Sequence, residues 1–288
     1  MRTSGSWSTS DPAPARWLGL VRLIHPFPSA LDGLVVLGVA AVAGAPLPDA
    51  IRLGLSMTAL QASIGALNDI IDAPSDEGGK PAKPIPSGLV ARPLARAVVI
   101  VAAAVGIGLA IPGGIGLVAL AVLGLGIGIA YDLVAKGTAW SWLPFALGIP
   151  LLPVYGWYGA TSSLPGWFVV LVPMAAVAGA ALAVANAWAD LERDREAGTT
   201  TIATALGDDR SRWAVAGLWA TAGTIAVVSG AAGGGSPAQL VAIAVGLGVV
   251  VVGIAIGHRA APARRELAWE VQAVGAAITA TAWVLAVA

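Results

Sequence analysis

The chain has 288 residues, 57% of them hydrophobic and 11% charged, with no formal net charge and no cysteine. A soluble domain carries about 25% charged residues, so this composition excludes a water-coated globule, while the missing cysteines exclude disulfides and thiol catalysis and the balanced charge gives no sign of a nucleic-acid partner. The apolar residues run on continuously without a two-residue alternation, which excludes a transmembrane barrel and points to membrane helices.

The reading is therefore an all-α, polytopic membrane protein with nine transmembrane helices in one bundle. Residues 1–16 are rich in Ser and Pro and read as a disordered tail without signal-peptide anatomy; residues 17–288 read as one membrane domain. At about 17–25 apolar residues per span, helices are expected near 17–44, 51–71, 93–111, 114–135, 140–160, 166–190, 211–230, 237–257 and 266–287. Turn chemistry marks the breaks, at Ala45–Pro48, Pro112–Gly114, Gly137–Ala139, Ser162–Gly166 and Gly230–Pro237.

Charge placement tests that count. With the N-terminus inside, every basic residue except Arg52 lies on the cytoplasmic side, as the positive-inside rule requires. An odd number of spans then puts the C-terminus outside. Trp17, Trp140, Trp142, Trp157, Trp167, Trp213 and Trp283 fall near helix ends, the expected place for an aromatic belt.

Acidic residues are more concentrated still. Asp69, Asp72, Asp76 and Glu77 close the second helix, and Asp190, Glu192, Asp194 and Glu196 close the sixth. If the helices continue, Asn68, Asp72 and Asp76 form an i, i+4, i+8 stripe, and Asn186, Asp190 and Asp194 repeat it. Two such stripes repel unless cations lie between them. An all-oxygen donor set suits a hard ion, Mg²⁺ above all, which bridges to substrate phosphates. Carboxylates at a helix C-terminus also oppose the macrodipole, so they do not serve helix stability. Asp69 and Glu192 fall off the stripes and are expected to tolerate replacement better.

These residues resemble a known family. Asn68-Asp69-Ile70-Ile71-Asp72 with Asp76, followed by Lys83-Pro84-Ile85-Pro86-Ser87-Gly88, is similar to the first signature of the UbiA superfamily of intramembrane prenyltransferases. Asp190 and Asp194 with Gly198, Thr201 and Gly207 resemble its second signature, and Arg22-Leu23-Ile24-His25-Pro26 looks like its first helix. The resemblance implies a helical bundle in which both acidic segments hold a prenyl diphosphate through Mg²⁺. Asp72, Asp76, Asp190 and Asp194 would be catalytic, with Asn68 joining them as metal ligands. Arg22, Asn68, Lys80, Lys83, Tyr131, Lys136 and Asn186 would bind substrate. The partners implied are a prenyl diphosphate, a lipophilic acceptor and membrane lipid. Three positions depart from the family pattern: Lys83 stands where Arg is usual, Ile202-Ala203-Thr204 replaces Leu-Pro-Val, and Asp132 follows Tyr131 where Ser is common.

The favoured function is transfer of a prenyl group to an aromatic or quinone-precursor acceptor. Its rivals are a terpene cyclase on the same scaffold, transfer to a glycerol phosphate, and a transporter, whose acids would sit at mid-membrane instead. Asp32 lies inside the first helix, where an ionisable group costs at least ~2.5 kcal/mol at the bilayer centre, so it is expected to face the bundle interior. His25 and His258 read as surface or structural residues, and Gly124, Gly126 and Gly128 as close helix packing.

Overall fold

The computed structural model describes residues 13–79, 82–259 and 264–288, and every regular element among them is a helix. In chain order these are α1 (Ala13–Leu23), α2 (Pro26–Val42), α3 (Leu47–Gly79), α4 (Arg92–Ala110), a 3₁₀ turn, α5 (Gly114–Ala130), a π turn (Tyr131–Ala135), α6 (Leu143–Thr161), α7 (Phe168–Ala189), α8 (Leu191–Glu196), α9 (Ile202–Leu206), α10 (Asp208–Ala232), α11 (Pro237–Arg259) and α12 (Arg265–Val287). Lys80, expected to bind substrate, lies outside the described residues.

Six helical stretches are long and apolar enough to cross a membrane, or seven if the bent pair α1–α2 is one span. That is fewer than the nine expected, for two physical reasons. The stretch Arg92–Ala135 spans 44 residues but folds back on itself. Ser56 and Ser63 of α3 donate to Gly106 and Val99 of α4, so α3 and α4 run antiparallel. Ile64 and Asn68 meet Gly128 and Asp132 in that order, so the α5 side of the hairpin runs parallel to α3. Second, α6 has 19 residues with Pro150 and Pro153 inside it, and it is not among the six.

Several buried polar groups pair across helices, where no water competes. Ser56 Oγ donates to Gly106 O at 2.6 Å and lies 2.6 Å from the Tyr155 hydroxyl, tying α3 to α4 and α6. Trp219 Nε1 donates to Gln272 Oε1 at 2.9 Å, joining α10 to α12. Small residues let backbones approach. Gly128 leaves room for Ile64, whereas Gly126 faces open space, so only part of the expected glycine face packs.

The aromatic residues split into two groups. Trp17, Trp140 and Trp213 are exposed, as a belt requires. Trp157 and Trp283 are buried, and with Trp167 and Phe168 they pack edge-on and stacked at 4.4–6.1 Å between ring centroids. Trp283 Nε1 donates to Ser229 Oγ at 2.8 Å. These rings hold α6, α7, α10 and α12 together instead of facing headgroups.

The most extensive helix–helix contact is α11–α12. A Cβ on Gly275 would lie 2.7 Å from Val250 N and 2.8 Å from Gly246 O, both backbone atoms that cannot yield. Gly275→Val is expected to destabilise the bundle by about 1–3 kcal/mol, read as a lower melting temperature in detergent. An exposed control such as Gly248→Ala, where nothing lies within 4 Å, should leave it unchanged.

Candidate active site

The site begins with a break in the chain. Helices α1 and α2 meet at an angle of 53°, because Pro26 bars His25 from helical geometry and His25 takes the left-handed conformation at φ 49°. The break turns the imidazole onto α3. A Cβ on Gly65 would lie 3.0 Å from His25 Cβ, so glycine there clears a place for the ring. One turn on, His25 Nε2 meets Asp69 Oδ1 at 3.1 Å.

Helix α3 continues through Pro74 to Gly79, so Asn68, Asp72 and Asp76 do form one stripe. The loop after α3 folds Lys83 back over it. Lys83 Nζ lies 3.0 Å from Asp69, 3.5 Å from Asp72 and 2.7 Å from Asp76. From the other side, Lys136 Nζ donates to Asp72 Oδ2 at 2.6 Å. Burial opposes the Lys83 charge, but the contact with Asp76 and the carboxylates of Asp69 and Asp72 outweigh it and hold its pKa above the ordinary lysine value.

The π turn after α5 presents Tyr131, Asp132 and Lys136. Asn68 Nδ2 donates to Asp132 Oδ1 at 2.7 Å, and the Tyr131 ring meets Phe145 edge-on at 5.4 Å. Tyr131 and Lys136 line a small cleft of about 50 Å³ with Ser141, Asn186, Asp190, Asp194 and Thr201. Lys136 thus touches the first acidic segment and borders the second. The second stripe is not one helix, since α7 stops at Ala189 and α8 starts at Leu191. Asp194 N still donates to Asp190 O at 2.9 Å, so the turn spacing survives and all three side chains reach the cleft. Behind it, Arg265 binds Glu192 Oε2 at 3.0 Å and Asp208 Oδ1 at 3.4 Å and lies 4.6 Å over the Trp188 ring.

Most of the expected residues therefore converge: Asn68, Asp72, Asp76, Lys83, Tyr131, Lys136, Asn186, Asp190 and Asp194. Arg22 does not. Its side chain is exposed on α1, ahead of the His25 break. Sequence reasoning missed His25, Asp69 and Ser141. Asp69 is one residue off the stripe yet 2% exposed, since His25 from the break between α1 and α2 and Lys83 from the following loop come to it. Ser141 lines the cleft with its buried hydroxyl oxygen lacking a partner, a signal that spacing cannot carry. Glu192, also off its stripe, is held by Arg265.

Among the described residues, no three His, Cys, Asp or Glu side chains group as a metal cluster. The donor set nonetheless fits a hard cation. Three carboxylates meet one ammonium at 2.7–3.5 Å, the arrangement a cation imposes, and the donors at hand are oxygens.

The family model for "UbiA prenyltransferase family" matches residues 33–287. The chain belongs to the UbiA prenyltransferase family. As a member of that family it is a prenyltransferase, built into a membrane on long apolar helices. Among solved structures, a UbiA homolog from Aeropyrum pernix K1 superposes with a TM-score of 0.72 at 20% identity, covering 88% of this chain and 96% of that one. A UbiA homolog from Archaeoglobus fulgidus bound to GPP and Mg²⁺ gives 0.71 at 16% identity over 94% and 100%. A structure concerned with digeranylgeranylglyceryl phosphate synthase in membranes gives 0.69 at 14% identity over 94% and 99%. At these identities the likeness is one of fold. Among curated protein sequences none is similar enough to match.

Lys83→Met leaves three carboxylates facing one another, and breaking a partly buried ion pair costs roughly 3 kcal/mol. Because the folded-state pKa of Lys83 is raised, its stabilisation is fully present below the ordinary value of 10.5 and is lost only as pH rises through the higher folded value. The melting-temperature gap between wild type and Lys83→Met should therefore hold steady from about pH 7 to about pH 9. A gap that closes within that window would show that the ammonium is not held by the cluster.

Proposed function

We propose that this protein is a Mg²⁺-dependent prenyltransferase that ionises a prenyl diphosphate and transfers the prenyl group to an aromatic or quinone-precursor acceptor. The observation that carries this reading is the meeting of Asp69, Asp72 and Asp76 at one cationic point, with Asp190 and Asp194 bordering the cleft that Lys136 bridges. The homolog bound to GPP and Mg²⁺ shares this fold.

In this scheme Asn68, Asp72, Asp76, Asp190 and Asp194 hold the metal. Bound Mg²⁺ supplies Lewis acidity toward the departing diphosphate. Lys83 and Lys136 neutralise the remaining phosphate charge, and the Tyr131 and Ser141 hydroxyls donate to phosphate oxygens that gain charge as the bond breaks. The apolar interior keeps water from the allylic cation. An apolar groove of about 400 Å³ between α2, α11 and α12, lined by Leu31, Leu34, Val35, Ile278, Ala282 and Leu285, can hold the prenyl tail.

The test is diphosphate release by purified protein. Turnover should require Mg²⁺ or Mn²⁺ and stop in excess EDTA. Asp72→Ala and Asp190→Ala should each reduce it at least a hundredfold, and the double variant should be hardly worse, because groups acting as a unit are non-additive. Near-wild-type turnover by Asp72→Ala, or losses that simply multiply, would refute a shared diphosphate site.

The same reading includes topology. It takes α1 with α2 as one bent span, followed by α3, α4, α5, α6, α7, α10, α11 and α12. That makes nine spans, with the acidic end cytoplasmic because the basic residues gather there. Reporter fusions before residue 13 and after Ala288 should light on opposite sides, the first cytoplasmic. Reporters on the same side would remove the nine-span count.

A further inference from the structure

Helices α7 and α8 join at a single residue, Asp190, whose φ of −97° and ψ of 7° take the chain out of helical geometry. Asp190 and Asp194 both line the cleft, so the angle at this junction decides how they face the first acidic segment. Yet α8 has only 6 residues and cannot hold an orientation alone. One side chain bridges the junction. Arg265 Nη1 donates to Trp188 O at 3.2 Å on one side of Asp190, and to the Glu192 carboxylate oxygens at 3.1 and 3.0 Å on the other. Its Nη2 reaches Asp208 Oδ1 at 3.4 Å, and its Cζ lies 4.6 Å over the Trp188 ring.

Helix α12 gains nothing from this arginine. As the first residue of that helix, it puts a cation where the macrodipole disfavours one. On α7 it meets the C-terminal end, where carbonyls are short of donors and a cation is favoured. Its charge is not spare for a substrate either, because Arg265 is shared between Glu192 and Asp208, and Arg212 also pairs with Asp208. Arg265 is 8% exposed and stands behind the cleft instead of in its lining. From this bridge we infer that Arg265 is a positioning residue of the metal site: it locks the α7–α8 junction and so arranges Asp190 and Asp194 for the cation before the cation arrives. The inference rests on the metal-bound diphosphate reading of the site. Without the bridge the junction samples other angles, and the free protein holds the competent one for only part of the time. Apparent metal affinity falls by that fraction, whereas the saturated complex is unchanged because every ligand is still present.

Two variants test this on full-length protein in detergent. Arg265→Met removes the guanidinium, and Arg265→Lys keeps the charge but, as a point charge, cannot span Trp188 O and Glu192. Mn²⁺ binding without substrate is read from the loss of the free-ion EPR signal. Diphosphate release from geranyl diphosphate is followed over a Mg²⁺ series. In Arg265→Met the Mn²⁺ dissociation constant and the half-saturating Mg²⁺ should both rise about tenfold, with kcat at saturating Mg²⁺ within about threefold of wild type. In Arg265→Lys both should rise by about threefold, and this variant decides the matter if Arg265→Met does not fold. Removing a cation near carboxylates would by charge alone tighten metal binding, so weakening reports position. Metal binding that is unchanged or tighter, or a fall in kcat at unchanged half-saturation, would overturn the assignment, because the arginine would then serve only the fold. Wild type that binds no Mn²⁺ and releases no diphosphate would instead overturn the metal reading of the acidic site.

Discussion

Concentrated negative charge at the end of one helix is the condition on which this architecture turns. Asn68, Asp72 and Asp76 share a stripe and Asp69 sits beside it, all within the last three turns of α3, at the helix end where the macrodipole also disfavours anions. Such a helix end is unstable alone. The loop that follows returns Lys83 to it, the π turn after α5 supplies Lys136, and the break before α2 supplies His25. Three separate pieces of chain are thus tied to one acidic surface. The same excess of carboxylate oxygen is what a metal-bound diphosphate needs. Compensation within the protein and recruitment of substrate charge are two uses of one electrostatic demand.

The rest of the bundle keeps that surface in register. Glycines let helices meet where register matters: Gly65 under His25, and Gly246 with Gly275 between α11 and α12. The Ser56 hydroxyl and the Gln272 amide are paired across helices, which suits a medium that offers no water. On the far side of the cleft, Arg265 reaches from α12 to Glu192 and Asp208 while covering Trp188. The short helix α8, which carries Asp194, is too brief to be stable alone. That clasp holds it against α7, α10 and α12, so the second acidic segment is positioned by distant chain.

Fold class and the core of the site were legible in sequence for a simple reason. Membrane helices write themselves as apolar runs of fixed length, and an i, i+4, i+8 series of acids names a helical face without reference to any other element. Asp72, Asp76, Asp190 and Asp194 belong to that class of information. The family resemblance added Lys83, Tyr131 and Lys136, whose roles depend on chain far from the acids. Apolarity alone misjudged the burial of Trp157 and Trp283, since a ring near a helix end reads the same whether it meets a headgroup or another ring.

The sequence by itself determined that the chain is helical and lies in a membrane, and that two acidic segments close two of its helices, because each of these is a local pattern of hydropathy or spacing. Tertiary structure alone decided that Asp69 is buried between His25 and Lys83, that Arg22 stays exposed and that Ser141 faces the cleft. Those facts depend on which remote side chains arrive at a given point. Contacts between residues far apart in sequence are set by helix packing, the His25 break and the π turn, and no local pattern in the chain records them.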